Sequence, residues 1–328
     1  MADPDAGAGG YARTVLGDRP ADQLGRVNYH EHLFQVSPLL PGDELDDESR
    51  SGAEAASLRS SGTASMVEAT PTGLGRDPSA VARISASTGL QVIATSGAHR
   101  EAHYTNQPWL LELTEEELRT RFLRDVVDGL RAHDQPIGAE PAHDLNGRPV
   151  RAGVLKAGID YWQITTFERR VIASVAAAHR VSNAPVMVHL EHGSAAFEVL
   201  DLLTADGVDA DAVALAHVDR NLDPGLHAEL AERGAYLGYD GFARTQRWPD
   251  SMILDCLEAA AGLGAQDRIL LGGDVARRSR YLSYGGMPGL SYLDERVLPR
   301  LRTLVGEPVV QAFTVANPAR WLARFSQS

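Results

Sequence analysis

A chain of 328 residues is long enough for one large barrel or two ordinary domains, and 44% hydrophobic content with 6% aromatic implies a core of Ala, Val, Leu and Ile. A formal charge of −13 excludes nucleic acid and anionic membranes as expected partners, but not a small anionic substrate, whose binding depends on local charge. The one cysteine, Cys256, excludes an internal disulfide and any cysteine-rich zinc module, and no run approaches the roughly 18 apolar residues of a membrane span.

The first ten residues, rich in Ala, Asp and Gly, read as a frayed and disordered end. Met1-Ala2-Asp3-Pro4-Asp5 lacks the basic and then apolar order of a signal peptide, so a cytoplasmic protein is expected. From there one rhythm repeats: a short β-rich run, a polar loop, an amphipathic helix. The runs are residues 25–33, 64–70, 91–97, 152–160, 185–191, 212–218, 235–241 and 268–274. Val186-Met187-Val188 and Ile269-Leu270-Leu271 are apolar on both faces, as parallel strands covered by helices should be. Between the runs, Thr114-Glu115-Glu116-Glu117 is a capping box opening a helix over 115–130, and Thr165-Thr166-Phe167-Glu168 is another. Asp223-Pro224 supplies an N-cap and a first-turn proline. Cys256 falls in an amphipathic stretch that reads as buried helix, and the chain closes with helical segments broken at Pro318.

Eight β-then-α units over this length are the arithmetic of a (β/α)8 TIM barrel in the α/β class, a single domain over residues 1–328. A doubly wound open sheet would carry a glycine-rich phosphate turn after its first strand, and none follows Val27. Two longer loops, 34–53 and 275–293, follow the first and eighth runs, at the barrel end where selectivity is usually set.

Metal-capable side chains fall at the ends of these runs. His30 and His32 lie two apart, so strand periodicity turns both imidazoles to one side and Glu31 to the other. Lys156 lies inside the fourth run; His189, His217 and Asp274 end the fifth, sixth and eighth. Left unliganded, six polar groups facing a barrel interior would carry a severe desolvation burden, which coordination removes. Glu68 and Asp77 read as structural, with Arg76 pairing to either. His103, His133, His143, His179, His192 and His227 fall in loops or helices and read as background.

The set His30-Glu31-His32-Leu33, Gly73-Leu74-Gly75-Arg76-Asp77, Val154-Leu155-Lys156, Val188-His189, Ala216-His217-Val218-Asp219-Arg220, Gly273-Asp274 and Asn317-Pro318-Ala319-Arg320 resembles the phosphotriesterase-like branch of the amidohydrolase superfamily. The match keeps the family's order and runs nearly the whole chain. The resemblance implies two divalent ions, with zinc, manganese and cobalt all suited to such donors. His30, His32 and Asp274 would hold the more buried ion, and His189 and His217 the more exposed one. Lys156, N6-carboxylated by carbon dioxide, would bridge them together with a hydroxide. The carbamate matters because a protonated lysine has no lone pair for a metal. Asp274 would also take the hydroxide proton and pass it to the leaving oxygen.

The family's third strand often leads to an aromatic where His99 stands here, a departure that weighs against an acyl-homoserine lactonase and offers a hydrogen bond to a polar substrate. After Asp274, Arg277, Arg278 and Arg280 stand near Tyr284 and a glycine-rich stretch. This pattern is similar to the subgroup that hydrolyses phosphorylated sugar lactones, with Arg277 and Arg278 as phosphate anchors. Arg244 and Arg247, after the seventh run, would add positive charge. A small-molecule substrate is therefore expected, and barrels of this kind often pair as homodimers. The alternatives are a hydrophobic lactonase, an organophosphate triesterase, and a barrel without catalysis that serves as a binding protein.

Overall fold

A computed structural model describes residues 10–135 and 139–326. All eight β-rich runs contain strands, and one hairpin precedes them. The hairpin pairs β1 (Tyr11–Thr14) with β2 (Gly17–Pro20). The barrel strands are β3 (Val27–Glu31), β4 (Ser65–Glu68), β5 (Gln91–Gly97), β6 (Ala152–Ile159), β7 (Val186–Leu190), β8 (Val213–Ala216), β9 (Tyr236–Tyr239) and β10 (Ile269–Leu271). They form one sheet in chain order, every neighbouring pair parallel. β10 returns to β3, where the Asp274 N–H donates to the His30 carbonyl at 3.0 Å. This is the expected (β/α)8 barrel.

Apolar side chains separate into two cores, one on each side of the strand wall. The outer core lies between strands and helices, with Leu155, Val186, Val188 and Leu215 against Phe122, Val171 and Val175. The inner core fills the barrel with Val27, Tyr29, Val67, Ile93, Val154, Met187, Ala214 and Leu270. Ala12 of the hairpin and Trp321 near the C-terminus join that inner core, and the Trp321 indole donates to the Ala212 carbonyl at 3.1 Å. These side chains plug the barrel so that only its other end is available for chemistry.

Both capping boxes form, opening the helices Glu115–Val127 and Thr166–Ser182. Asp223 caps Pro224–Glu232, and Cys256 is buried in Asp250–Ala260. The break expected at Pro318 does not occur. Proline lacks an N–H and its ring collides with the carbonyl four residues back in a regular α-helix. Here the wide turn Ala312–Ala316 precedes Asn317–Leu322, relieving that collision, and the backbone remains helical. Arg76 pairs with neither Glu68 nor Asp77 but with Asp125 at 2.9 Å and Asp134 at 2.8 Å. Asp77 instead caps the helix Pro78–Thr88. Of the stretch expected to fray, only Gly10 lies within the described residues, and its carbonyl accepts the Ala21 N–H at 3.0 Å.

The two long loops hold each other at the open end. The Arg278 and Ser279 N–H groups donate to Asp43, and Glu54, in the helix Glu48–Ser61 that follows the first loop, accepts the Ser283 and Leu290 N–H groups. Inside the barrel, Tyr29 reaches across to Asp240 beneath the histidines. Two glycines permit this: a Cβ on Gly238 would lie 1.9 Å from the Tyr29 hydroxyl, and one on Gly272 would lie 2.9 Å from Cε1. Gly238→Ala is therefore expected to cost about 1–3 kcal/mol through overpacking. Thermal unfolding checks this, and adding Tyr29→Phe should return part of the loss. An unchanged melting temperature would mean that the ring moves aside freely.

Candidate metal centre

The barrel ends where its chemistry begins. His32, His217 and Asp274 stand just beyond the last residues of β3, β8 and β10, while His30, Lys156 and His189 stand within β3, β6 and β7. His217 and Asp274 have φ of 68° and 42°, left-handed values that cost a non-glycine residue of the order of 1–3 kcal/mol. This backbone turn aims both side chains back over the barrel mouth. His30 and His217 have ring centroids 5.0 Å apart, and His30 and His32 5.4 Å. All six expected ligand residues line one cavity of about 200 Å³ and all are buried.

Hydrogen bonds decide which nitrogen of each imidazole is available. The Asp240 carboxylate accepts from His30 Nδ1 at 3.1 Å and His217 Nδ1 at 2.5 Å, placing those protons on Nδ1. Thr70 Oγ1 donates to the Phe34 carbonyl at 2.6 Å and so accepts from His32 Nδ1, also at 2.6 Å. Glu191 accepts from His189 Nε2 at 2.9 Å. The lone pairs left are His30 Nε2, His32 Nε2, His217 Nε2 and His189 Nδ1.

These lone pairs face one another. His217 Nε2 and His189 Nδ1 are 2.8 Å apart, two acceptors in a contact that a cation between them would relieve. His30 Nε2 is buried without a hydrogen-bond partner. With His32 Nε2 and an Asp274 oxygen it forms a group of ligand atoms within 4.8 Å of one another. His32 Nε2 and His30 Nε2 lie 3.6 Å and 3.8 Å from Asp274 Oδ1. The donor set thus fits two cations, one on His30, His32 and Asp274 and one on His189 and His217. Carboxylates behind ligating imidazoles are the usual means of orienting them.

Comparison with known proteins agrees with this geometry. Residues 11–322 match the Phosphotriesterase family. The chain belongs to that family. An N-acetyltaurine hydrolase of Danio rerio is 28% identical over 359 aligned positions, covering 95% of this chain and 98% of that protein. A phospho-furanose lactonase of Mycoplasmopsis synoviae is 27% identical, covering 95% and 92%. The crystal structure of a lactonase from Listeria monocytogenes superposes with a TM-score of 0.86 at 30% identity, covering 96% of this chain and all of that one. This phosphotriesterase-family chain is accordingly a hydrolase, and the binding-protein alternative falls away. No helix among the described residues is long and apolar enough to cross a membrane.

Burial sets the charges in this phosphotriesterase-family site. Desolvation lowers His32 and His217 to about 4 and His189 well below the ordinary range, so all three are neutral at pH 7, with lone pairs available to a cation. Burial also lowers the Lys156 ammonium to about 8, against the pull of Asp274. Lys156 Nζ donates to the Ala69 carbonyl at 2.8 Å. Burial works against the Asp274 carboxylate too, yet Arg244 and the neighbouring His32 hold it well below the usual range. Asp240 is likewise held down, by His217 and His30, against its burial. Asp219 beside it is raised to about 8 by burial and by the Asp240 charge.

Of the expected substrate residues, His99, Arg244 and Arg277 line the cavity. Three others do not. Arg278 stacks its guanidinium 5.3 Å from the Tyr284 ring, and the Tyr284 hydroxyl bonds to Asp47 and Ser51, so both serve the packing of the two loops. Arg247 lies against His192, 3.3 Å from Nε2. Arg280 braces the mouth through the carbonyls of Val275, Phe242 and Ala243. Arg220 and His103 take up cavity positions instead. Arg220 arrives through the tight turn Val218–Arg220 after His217 and donates to Asp274 at 2.9 Å. His103, read as background, rests against His99.

Glu31 turns away from the cavity as the strand period requires. Its carboxylate accepts the Val275 N–H at 3.0 Å, which fixes the residue after Asp274. Sequence reading assigned no role to Asp240, Glu191 or Thr70. Glu191 closes the fifth run and Asp240 is next to last in the seventh, positions that mark the mouth of a barrel, but their partners are named only by the closed sheet.

Proposed function

We propose that this chain opens the lactone ring of a phosphorylated sugar acid, using two divalent ions held by His30, His32, His189, His217 and Asp274. The observation that carries the reading is that Arg220, Arg244 and Arg277 line the same cavity as this ligand set. Guanidinium groups suit phosphate through fork-like hydrogen bonds. Only Leu39, Leu40 and Ala276 contribute apolar lining among the described residues, which weighs against a hydrophobic lactone.

When bound, the ion pair supplies Lewis acidity, lowering the pKa of water to about 7 and polarising the carbonyl. The protein's own groups do the rest. Lys156, as the N6-carbamate, would offer an anionic oxygen donor where its ammonium offers none; its lowered pKa favours the neutral amine, whose lone pair attacks carbon dioxide and which releases a proton as the N–C bond forms. Asp274 takes the proton at a carboxylate oxygen and returns it to the departing ring oxygen. Arg220, at 2.9 Å, holds that carboxylate in place. Zinc is the proposed ion.

A panel of sugar lactones with and without phosphate, followed by proton release, tests this. Arg277 is half-exposed and only 3.7 Å from Asp43, so its truncation should be moderate. Arg277→Ala is expected to raise KM for the phosphorylated lactone by roughly 5–10-fold and to change the unphosphorylated one little. Equal effects on both would defeat the phosphate anchor. The likeness to an N-acetyltaurine hydrolase favours a second reading, cleavage of an amide whose other end is a sulfonate. The same arginines would hold that oxyanion. Faster turnover of such an amide than of any lactone would replace the first reading with the second.

A further inference from the structure

Part of the cavity wall is built from imidazole that binds no cation in this scheme. His99 follows β5, and His103 sits in the short turn Glu101–Tyr104. Both are buried and both line the cavity. Their ring centroids are 3.9 Å apart, and His99 lies 4.3 Å from the ring of His189.

Hydrogen bonds fix where each ring carries its proton. His99 Nδ1 accepts the Arg100 N–H at 2.8 Å, so its own proton is on Nε2. Ser37 Oγ accepts the Leu39 N–H at 3.2 Å and lies 2.7 Å from His103 Nδ1. Among the described residues His103 Nδ1 is the one acceptor bonded to the Ser37 hydroxyl, so donation to that nitrogen is the arrangement that satisfies the hydroxyl hydrogen, and it leaves the His103 proton on Nε2. Neither Nε2 hydrogen bonds to another described residue. The pair is also rigid. The His99 N–H donates to the Tyr104 hydroxyl at 2.7 Å, which donates in turn to the Thr72 carbonyl at 3.0 Å. On the neighbouring strand Gly158 leaves the space, since a Cβ there would lie 3.3 Å from His99 Nδ1.

We propose that His99 and His103 form a two-donor subsite that binds hydroxyl oxygens of the substrate ring and selects a hydroxylated lactone over its deoxy counterpart. The proposal rests on the lactone reading above and names the part of the substrate that this wall recognises. Two neutral N–H groups donate without adding charge, which suits an alcohol oxygen; the arginines take the anionic group. A buried donor facing a ring that lacks the hydroxyl is left unpaired, and that penalty makes hydrogen-bonding sites reject deoxy analogues.

Two variants test the subsite in the metal-loaded enzyme. His103→Phe keeps an aromatic plane against His99 and removes the donor. Ser37→Ala keeps both imidazoles and releases His103 Nδ1 from the bond that sets its tautomer. The readout is the ratio of kcat/KM for a hydroxylated γ-lactone to that for its deoxy analogue. It should fall about ten-fold in His103→Phe and a few-fold in Ser37→Ala. An unchanged ratio in both variants overturns the subsite while leaving the lactonase reading intact. A wild-type enzyme that opens no lactone defeats the lactonase reading instead. Calorimetry with the two ring-opened acids then decides the subsite by itself. Wild type should prefer the hydroxylated acid and His103→Phe should lose that preference; absence of any preference in the wild type overturns it.

Discussion

Replacing Asp274 with Asn is expected to lower kcat/KM by at least about 10³-fold while the barrel stays folded. The side chain stands where three demands meet. It is 3.6 Å from His32 Nε2 and 3.8 Å from His30 Nε2, it takes the Arg220 guanidinium at 2.9 Å, and it bonds to Arg244 as well. An amide has the same shape but no charge, so it cannot neutralise a cation or accept a proton at neutral pH. The fold should survive for a separate reason. Asp274 has φ of 42°, and Asn is among the few side chains that also tolerate left-handed backbone. Its N–H can still donate to His30. Steady-state kinetics on the metal-loaded variant, with circular dichroism as the folding check, decide the matter. Wild-type rates would remove Asp274 from the mechanism, and loss of the helical signal would make the change uninformative about catalysis but point to a structural role.

The barrel and the gathering of six metal-capable side chains at its mouth were readable from residues because each depends on a local pattern. Val186-Met187-Val188 is apolar on both faces, which only a covered parallel strand satisfies. His30 and His32 share a side because strands have period two, and the capping boxes at Thr114 and Thr165 form from contacts three residues apart. What escaped notice depends on distant partners. The hairpin Tyr11–Pro20 has four-residue strands whose support is an outside bond, Val15 N–H to the Val92 carbonyl at 2.8 Å. Arg278 and Tyr284 looked like a phosphate anchor beside an aromatic, yet their partners in the first long loop turn them to packing. Arg220 was visible inside its motif, but only the left-handed turn at His217 brings its guanidinium to Asp274. Asp240 is the largest omission. It stands near the end of a run like any loop aspartate, and nothing beside it in the sequence shows that it will meet a histidine 210 positions earlier.

The second large effect is therefore expected at Asp240, and it should appear in metal binding before it appears in rate. Both carboxylate oxygens accept: Oδ1 from His217 Nδ1, and Oδ2 from His30 Nδ1 and the Tyr29 hydroxyl. His30 belongs to one proposed ion and His217 to the other, so a single carboxylate sets the tautomer of a ligand at each. Asp240→Asn leaves only one oxygen. Its NH2 group must then face an imidazole nitrogen that was donating, so that ring has to move its proton to Nε2 and lose its lone pair for the cation. Affinity for at least one ion should fall about 10–100-fold, the usual consequence of removing such a partner. Dialysis against graded chelator, followed by counting ions per chain, measures this without any assay of turnover. Tyr29→Phe is the discriminating control, because it removes the third bond to the same carboxylate without disturbing either tautomer and should hold its metal nearly as well as the wild type. Retention of two ions by Asp240→Asn at wild-type chelator concentrations would mean that packing alone orients His30 and His217. A parallel loss of metal in Tyr29→Phe would point to a general loosening of the barrel interior, since the tautomer argument predicts that the two variants separate.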